Sequence, residues 1–455
     1  MYVYTWSHLP SICIFFHSYL LKQLRTNMPS SNSISFGHDE YLQDLIESAR
    51  PFLRDNLESV DQNLPALLTI LRSSGAGECW HRLGTFLDHL YHVYRILKLW
   101  NAPDSVCLFG LFHSVYSNSY HDLAIFDPVS DRETVRNQVG PVAERLIHLF
   151  CVVPRHPLIH DDLVFRYTDS ELQEHLQASE QSLRDVKEKG GRSSEERWRK
   201  KLQTIVPSTG VKVKHIRTGE PVVIPRRAVA VFLLMTIADF GDQYYGYQDA
   251  LYDNTDGRLE FIGNSNFDIL WPGNGKPGLW MNLISKMAAI YTLLVREEVM
   301  YMEERKRDGH GNGIVADDRE EDIELVIPPV FDRCTKILDP SEQIVARDLY
   351  WEAVYDEGSK KEKAEELLLK CIEKNPFIGE PHVLLSQFYL SRGRFEEGEK
   401  EAKKGLRLLL EWGCPWDKRI SWEGWVSWGR VMLIKAKERS WPHTSWGMIG
   451  LGLVK

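Results

Sequence analysis

From Thr85 to Trp100 apolar residues recur at helical spacing, with Phe86, Leu90, Val93, Leu97 and Trp100 on one stripe. A stripe of that period makes an amphipathic helix that must bury one face against another element. Asn101-Ala-Pro103-Asp104 stops this helix and opens a second, which the pattern carries to about Tyr116. A short polar connection between two apolar helices makes them antiparallel neighbours, so the chain is expected to build its core from helix pairs.

The same reading extends along the chain. Leu42, Leu45 and Ile46, then Leu64, Leu67, Leu68, Ile70 and Leu71, fit two helices broken near Pro51 or between Asp61 and Pro65. Asp131 opens a helix that Gly140-Pro141 breaks, and Pro141 restarts it at a first helical position. Residues 165–205 are charged and mostly helical, interrupted at Gly190-Gly191. Val211 to Ile216, a Thr218-Gly219 turn and Val222 to Ile224 alternate as a small hairpin does. Pro225 then opens a helix that is apolar all round from Ala228 to Ala238 and ends at Asp239; 279–305 form another helix. Gly273-Asn-Gly275-Lys276-Pro-Gly278 lacks the spacing and the Ser/Thr of a phosphate loop and reads as an ordinary loop.

Composition narrows the function classes. The 455 residues carry 55 Lys+Arg against 64 Asp+Glu, a net charge of −9, with no field for nucleic acid or an anionic membrane. The longest apolar run near the start, Ile12 to Leu21, is about ten residues where a membrane span needs ~20. Seven cysteines, odd in number and without a CxxC pair, argue for a reducing compartment. The expected location is cytoplasmic. Residues 1–38 contain no acid and seven serines, so an organelle transit peptide is the alternative; Met28-Pro-Ser-Ser also reads as a native start with 1–27 an over-extension.

Two residue types are unevenly spread. Eight of the 16 His lie between His81 and His160, and seven of the 14 Trp between Trp412 and Trp446. His89 and His113 are 24 positions apart on the consecutive helices, so their imidazoles can meet across the pair. Two imidazoles are half of a divalent-metal site and need carboxylates and open positions to complete it. Asp239, at the end of a very apolar helix, is the expected third ligand, since an isolated buried carboxylate requires a cation, a metal or hydrogen bonds. A His on an amphipathic helix is ordinarily a hydrogen-bonded residue, and His92, His121, His148, His156 and His160 are read that way.

Arg82 to Ser119, with Asp239, resembles the HD-domain superfamily of metal-dependent phosphohydrolases, and most closely its (p)ppGpp-hydrolase branch. More narrowly, Gly110-Leu-Phe-His-Ser-Val-Tyr116 and Arg136-Asn-Gln-Val-Gly140-Pro-Val-Ala-Glu144-Arg-Leu resemble an uncharacterised domain-of-unknown-function family with a degenerate HD signature. The resemblance implies a pocket formed by Arg82, His89, His113, Ser114 and Asp239. It implies a divalent metal (Mn, Fe or Mg) on His89, His113 and Asp239, and a small phosphorylated ligand. The chain departs from the superfamily at His113-Ser114, where a hydroxyl replaces a metal-binding carboxylate, and at Tyr116-Ser117, where an acidic pair is replaced. Asp122 or Asp127 could substitute as a ligand, and Arg226-Arg227 could face a phosphate.

The C-terminal part repeats at 34 residues: Tyr355 recurs as Tyr389, Lys361 as Phe395, Ala364 as Gly398 and Cys371 as Gly405. With Gly379 to Tyr389 and Gly393-Arg-Phe395, this resembles tetratricopeptide repeats, which implies a protein partner. The Trp-rich stretch is a degenerate third unit or a cap. The expected protein is all-α. Residues 1–39 form an N-terminal extension, 40–300 an HD-like helical domain with a small hairpin insertion, 301–335 an acidic, Gly-rich linker and 336–455 the repeat tail. Three functions follow: a degenerate domain that binds a phosphorylated ligand or metal and regulates through its tail, a working metal-dependent phosphohydrolase, or a pure scaffold. No catalytic base is assigned.

Overall fold

A computed structural model describes residues 36–81, 84–119, 124–189, 196–243, 252–253, 260–261, 281–307, 322–333, 337–355, 363–444, 447 and 450. Arg82 and Asp122, expected near the site, lie outside these residues, as do Gly190-Gly191, 262–280 and 308–321. The chain divides into two compact units, 1–44 and 45–455. Of the first, residues 36–44 are described and are helical.

The architecture is all-α with small β-hairpins. Helix α1 (Phe36–Leu53) passes through Pro51 and stops beyond it, so the break falls in 54–63 and not at the proline. It is followed by α2 (Leu64–Ser73) and a hairpin of β1 (Trp80–His81) and β2 (Gly84–Thr85). Helices α3 (Phe86–Leu99) and α4 (Asp104–Phe112) come next, then α5 (Arg132–Val139) and α6 (Pro141–Val152). Helix α4 is shorter than its apolar pattern, which runs to about Tyr116, suggests. Its helix gives way at His113, whose ring bonds back to the Gly110 carbonyl at 2.8 Å, and Ser117 takes a left-handed backbone (φ 62°). Backbone bonds from Ile125 and Phe126 to the Val115 carbonyl then replace the helical ladder.

Helices α7 (Asp169–Lys189) and α8 (Arg197–Ile205) lead to the expected hairpin, β3 (Val211–Lys214) paired antiparallel with β4 (Pro221–Ile224). Helix α9 (Arg226–Gln243) is buried from Arg226 to Gly241 because it has neighbours on every side: α3 across one face, α10 (Met281–Arg307) across another. A further small hairpin pairs β5 (Tyr252–Asp253) with β6 (Glu260–Phe261). Arg226 and Arg227 do not face a ligand. Arg226 pairs with Glu297 at 2.9 Å and Glu298 at 3.2 Å, and Arg227 with Glu298 at 3.1 Å, so these charges fasten α9 to α10. Asp127 is likewise committed, its Oδ1 accepting from the backbone of Val129 at 2.9 Å and Ser130 at 2.8 Å.

After α11 (Pro329–Arg333) the C-terminal part is a run of helices: α12 (Pro340–Tyr355), α13 (Ala364–Lys374), α14 (Glu380–Leu390), α15 (Phe395–Trp412) and α16 (Trp422–Lys437). Tyr389 is buried at the α14–α15 turn, whereas Tyr355, at the matching repeat position, is 71% exposed and stacks on Trp351. This part does not stand apart from the rest. Trp100, the residue that caps the end of α3, donates from Nε1 to the Glu411 carbonyl at 2.9 Å and packs edge-on to Trp412 and Phe331.

Candidate metal centre

The start of α3 is fixed by sequence-local chemistry. Thr85 and Asp88 form a reciprocal capping box, with Asp88 N to Thr85 Oγ1 at 3.1 Å and Thr85 N to Asp88 Oδ2 at 2.9 Å. That sets His89 on the buried face in the first turns, 4% exposed. His113, at the C-terminal end of α4, is 1% exposed, and its Nε2 lies 3.3 Å from His89 Nε2. Asp239 Oδ1 of α9 is 3.2 Å from His89 Nε2. One ligand atom from each of His89, His113 and Asp239 lies within 4.8 Å of the others. Two ligands ~2.1 Å from one ion and 90–109° apart are separated by roughly 3.0–3.4 Å, so both measured separations suit neighbouring ligands of one ion.

The outer hydrogen bonds set the tautomers. His113 Nδ1–H donates to the Gly110 carbonyl, which leaves its Nε2 lone pair facing inward. His89 Nδ1–H donates to Asp242 Oδ2 at 2.7 Å, so its Nε2 also faces inward. Asp242 takes His92 Nδ1 on its other oxygen at 3.1 Å. Two histidines at i,i+3 on α3 thus face two aspartates at i,i+3 on α9. This carboxylate–imidazole pairing is the second layer that orients metal-binding histidines in general.

The electrostatics match. Burial alone would push His89 down, but Asp239 and Asp242 outweigh it and raise its imidazole to about 9. Burial pushes His113 down to about 3 against the pull of Asp239. Burial opposes ionisation of Asp239 and Asp242 too. His89, His113 and Arg155 hold the first below the usual carboxylate range, and His92 and His89 hold the second. Without an ion, one proton on His89 Nε2 fills the point where three donors converge.

Ser114, 2% exposed, accepts from Asn118 Nδ2 at 3.0 Å and holds no carboxylate in its place. Arg155 Nη1 stands 3.8 Å from Asp239 Oδ2 and over the Phe150 ring. A cavity of about 290 Å³ opens above His89 and Asp242. Its described lining includes His81, His92 and Arg95 from the N-terminal side and Lys418, Trp422 and Glu423 from the C-terminal side.

Residues 70–155 match the family model described as a domain of unknown function, DUF6817. No curated protein and no solved structure matches the chain. The DUF6817 segment holds His89 and His113, while Asp239 and Asp242 come from beyond it. Sequence reasoning passed over Asp242 and left His92 as an ordinary helical histidine; the signal available was the i,i+3 spacing of two acids at the end of an apolar helix. No helix among the described residues is long and apolar enough to cross a membrane.

Proposed function

We propose that the chain is a degenerate HD-type protein that binds one divalent metal (Mn, Fe or Mg) through His89, His113 and Asp239, and holds a small phosphorylated ligand in the cavity that His89 and Asp242 border. The observation that carries this reading is the convergence of one carboxylate oxygen with two inward Nε2 lone pairs, both imidazoles being held by an outer hydrogen bond on Nδ1. Three protein ligands leave positions open for water or a ligand oxygen. The metal would supply Lewis acidity to a phosphoryl oxygen; Asp242 and the Gly110 carbonyl fix the imidazoles that hold it. With Ser114 neutral and turned to Asn118, the reading favours binding over hydrolysis. The C-terminal helices, read as tetratricopeptide-like hairpins, would take a protein partner. Supporting this, a Cβ on Gly405 would stand 2.8 Å from the Gly379 carbonyl, a crossing as close as small repeat positions allow.

Metal analysis of the purified full chain tests the reading. About one equivalent of Mn, Fe or Mg in the wild type, lost in His113→Ala and in His89→Ala, is the expected result. Metal absent from the wild type, or retained in both variants, overturns it. Phosphate release from nucleotides would move the reading from ligand binding to hydrolysis.

A further inference from the structure

The cavity is closed by two distant parts of the chain. Helix α3 and the end of α9 form one wall, and Pro415 to Glu423 form the other. The second wall is firmly seated. Arg95 of α3 is 2% exposed, pairs with Glu423, donates to the Gly413 carbonyl at 3.4 Å and lies 4.5 Å above the Trp422 ring. Trp422 Nε1 donates to the Leu409 carbonyl at 2.8 Å. Lys418 Nζ donates to the carbonyl of Gly241, the residue just before Asp242.

The acids of the lining are already engaged. Asp242 accepts from His89 and His92, Glu423 pairs with Arg95, and Asp88 accepts from the Thr85 backbone and hydroxyl. Lys418 differs from them. Its ammonium has three donors, one is used on Gly241, and among the described residues no carboxylate pairs with it. A partly buried ammonium with donors to spare beside an open cavity is a site for an anion.

We propose that Lys418, supplied by the C-terminal segment, is the anion-holding residue of this cavity, so that a small oxyanion bound above His89 is captured by both ends of the chain. The docked C-terminal segment is then part of the binding site, and its seating through Arg95, Glu423 and Trp422 sets the position of the ammonium. The assignment rests on the metal reading, since an ion held by His89 would add positive charge beside the cavity that His89 lines.

Calorimetric titration of inorganic phosphate into the manganese-loaded full chain tests it, with manganese content measured on each sample. Lys418→Ala and Lys418→Gln should weaken phosphate binding about ten- to a hundredfold with manganese content unchanged, and Lys418→Arg should restore most of it. Phosphate bound as tightly by Lys418→Gln as by wild type overturns the assignment, as does manganese-loaded wild type that binds none. A wild type without manganese overturns the metal reading separately. In that protein, phosphate binding that still depends on Lys418 upholds the assignment, and its absence overturns it.

Discussion

His89 Nε2 and His113 Nε2 stand 3.3 Å apart, each with its Nδ1–H tied to a different acceptor, Asp242 for the first and the Gly110 carbonyl for the second. Two lone pairs so close repel unless something positive lies between them. Asp239 brings a third donor to the same point, so whatever fills it, a proton or a metal ion, is held by α3, α4 and α9 together.

Asp242 touches no metal position yet should govern metal affinity. Asp242→Asn keeps the shape but removes the charge that orients His89, and outer partners of this kind are typically worth ~10–100-fold in affinity. A chelator-competition titration should show that loss with metal stoichiometry intact. Equal affinity would mean that α3 packing alone orients the imidazole.

Gly110 lets α3 and α4 approach. A Cβ there would fall 2.3 Å from Leu97 Cδ1 and 3.4 Å from Val93 Cγ1. Gly110→Ala should therefore overpack the crossing, with a cost of about 1–3 kcal/mol in urea unfolding. Adding Leu97→Val should recover part of that, because the two side chains share one space. Strict additivity of the two changes would place the strain elsewhere.

Gly413 ends α15 in the left-handed region at φ 70°, and a Cβ would lie 3.2 Å from Ile96 Cα. Gly413→Ala should cost about 1–2 kcal/mol from the backbone alone, with more from the contact with α3. Denaturation monitored at the tryptophans should show it, and a neutral result would mean that the C-terminal segment seats independently of this turn.

Glu380 is buried and accepts from the backbone of Trp416 at 2.6 Å and Asp417 at 3.1 Å. Burial, with Asp417 nearby, pushes its carboxyl up to about 7. Because its folded-state value lies above the unfolded one, the protonated form is favoured by folding. Stability from this group is complete below about 4.5 and lost as pH rises through about 7. Melting temperature should fall across that window, and Glu380→Gln should flatten the fall. A profile unchanged by the substitution would assign the pH dependence to other groups.

The helices were legible because their information is local. A stripe such as Phe86, Leu90, Val93 and Leu97 needs only a period of 3.6, and Gly140-Pro141 needs only its own backbone chemistry. His89 and His113 could be paired because a short connection makes consecutive helices neighbours, and Asp239 stood out as an acid at the end of an apolar helix. The end of α4 was harder to read, since the bonds that replace its last turn come from Ile125 and Phe126 across a polar loop.

By itself, then, the sequence determined an all-α chain and the faces its helices bury, and it named His89, His113 and Asp239 as candidate ligands. Only the tertiary structure decided that Asp242 would orient His89 from 153 residues away, and that Lys418 would reach Gly241 across 177. The physical reason is that side-chain chemistry and helical period are carried by neighbours in sequence. The partner of a buried charge is set by which helices pack, and nothing in the residues around Lys418 encodes the end of α9.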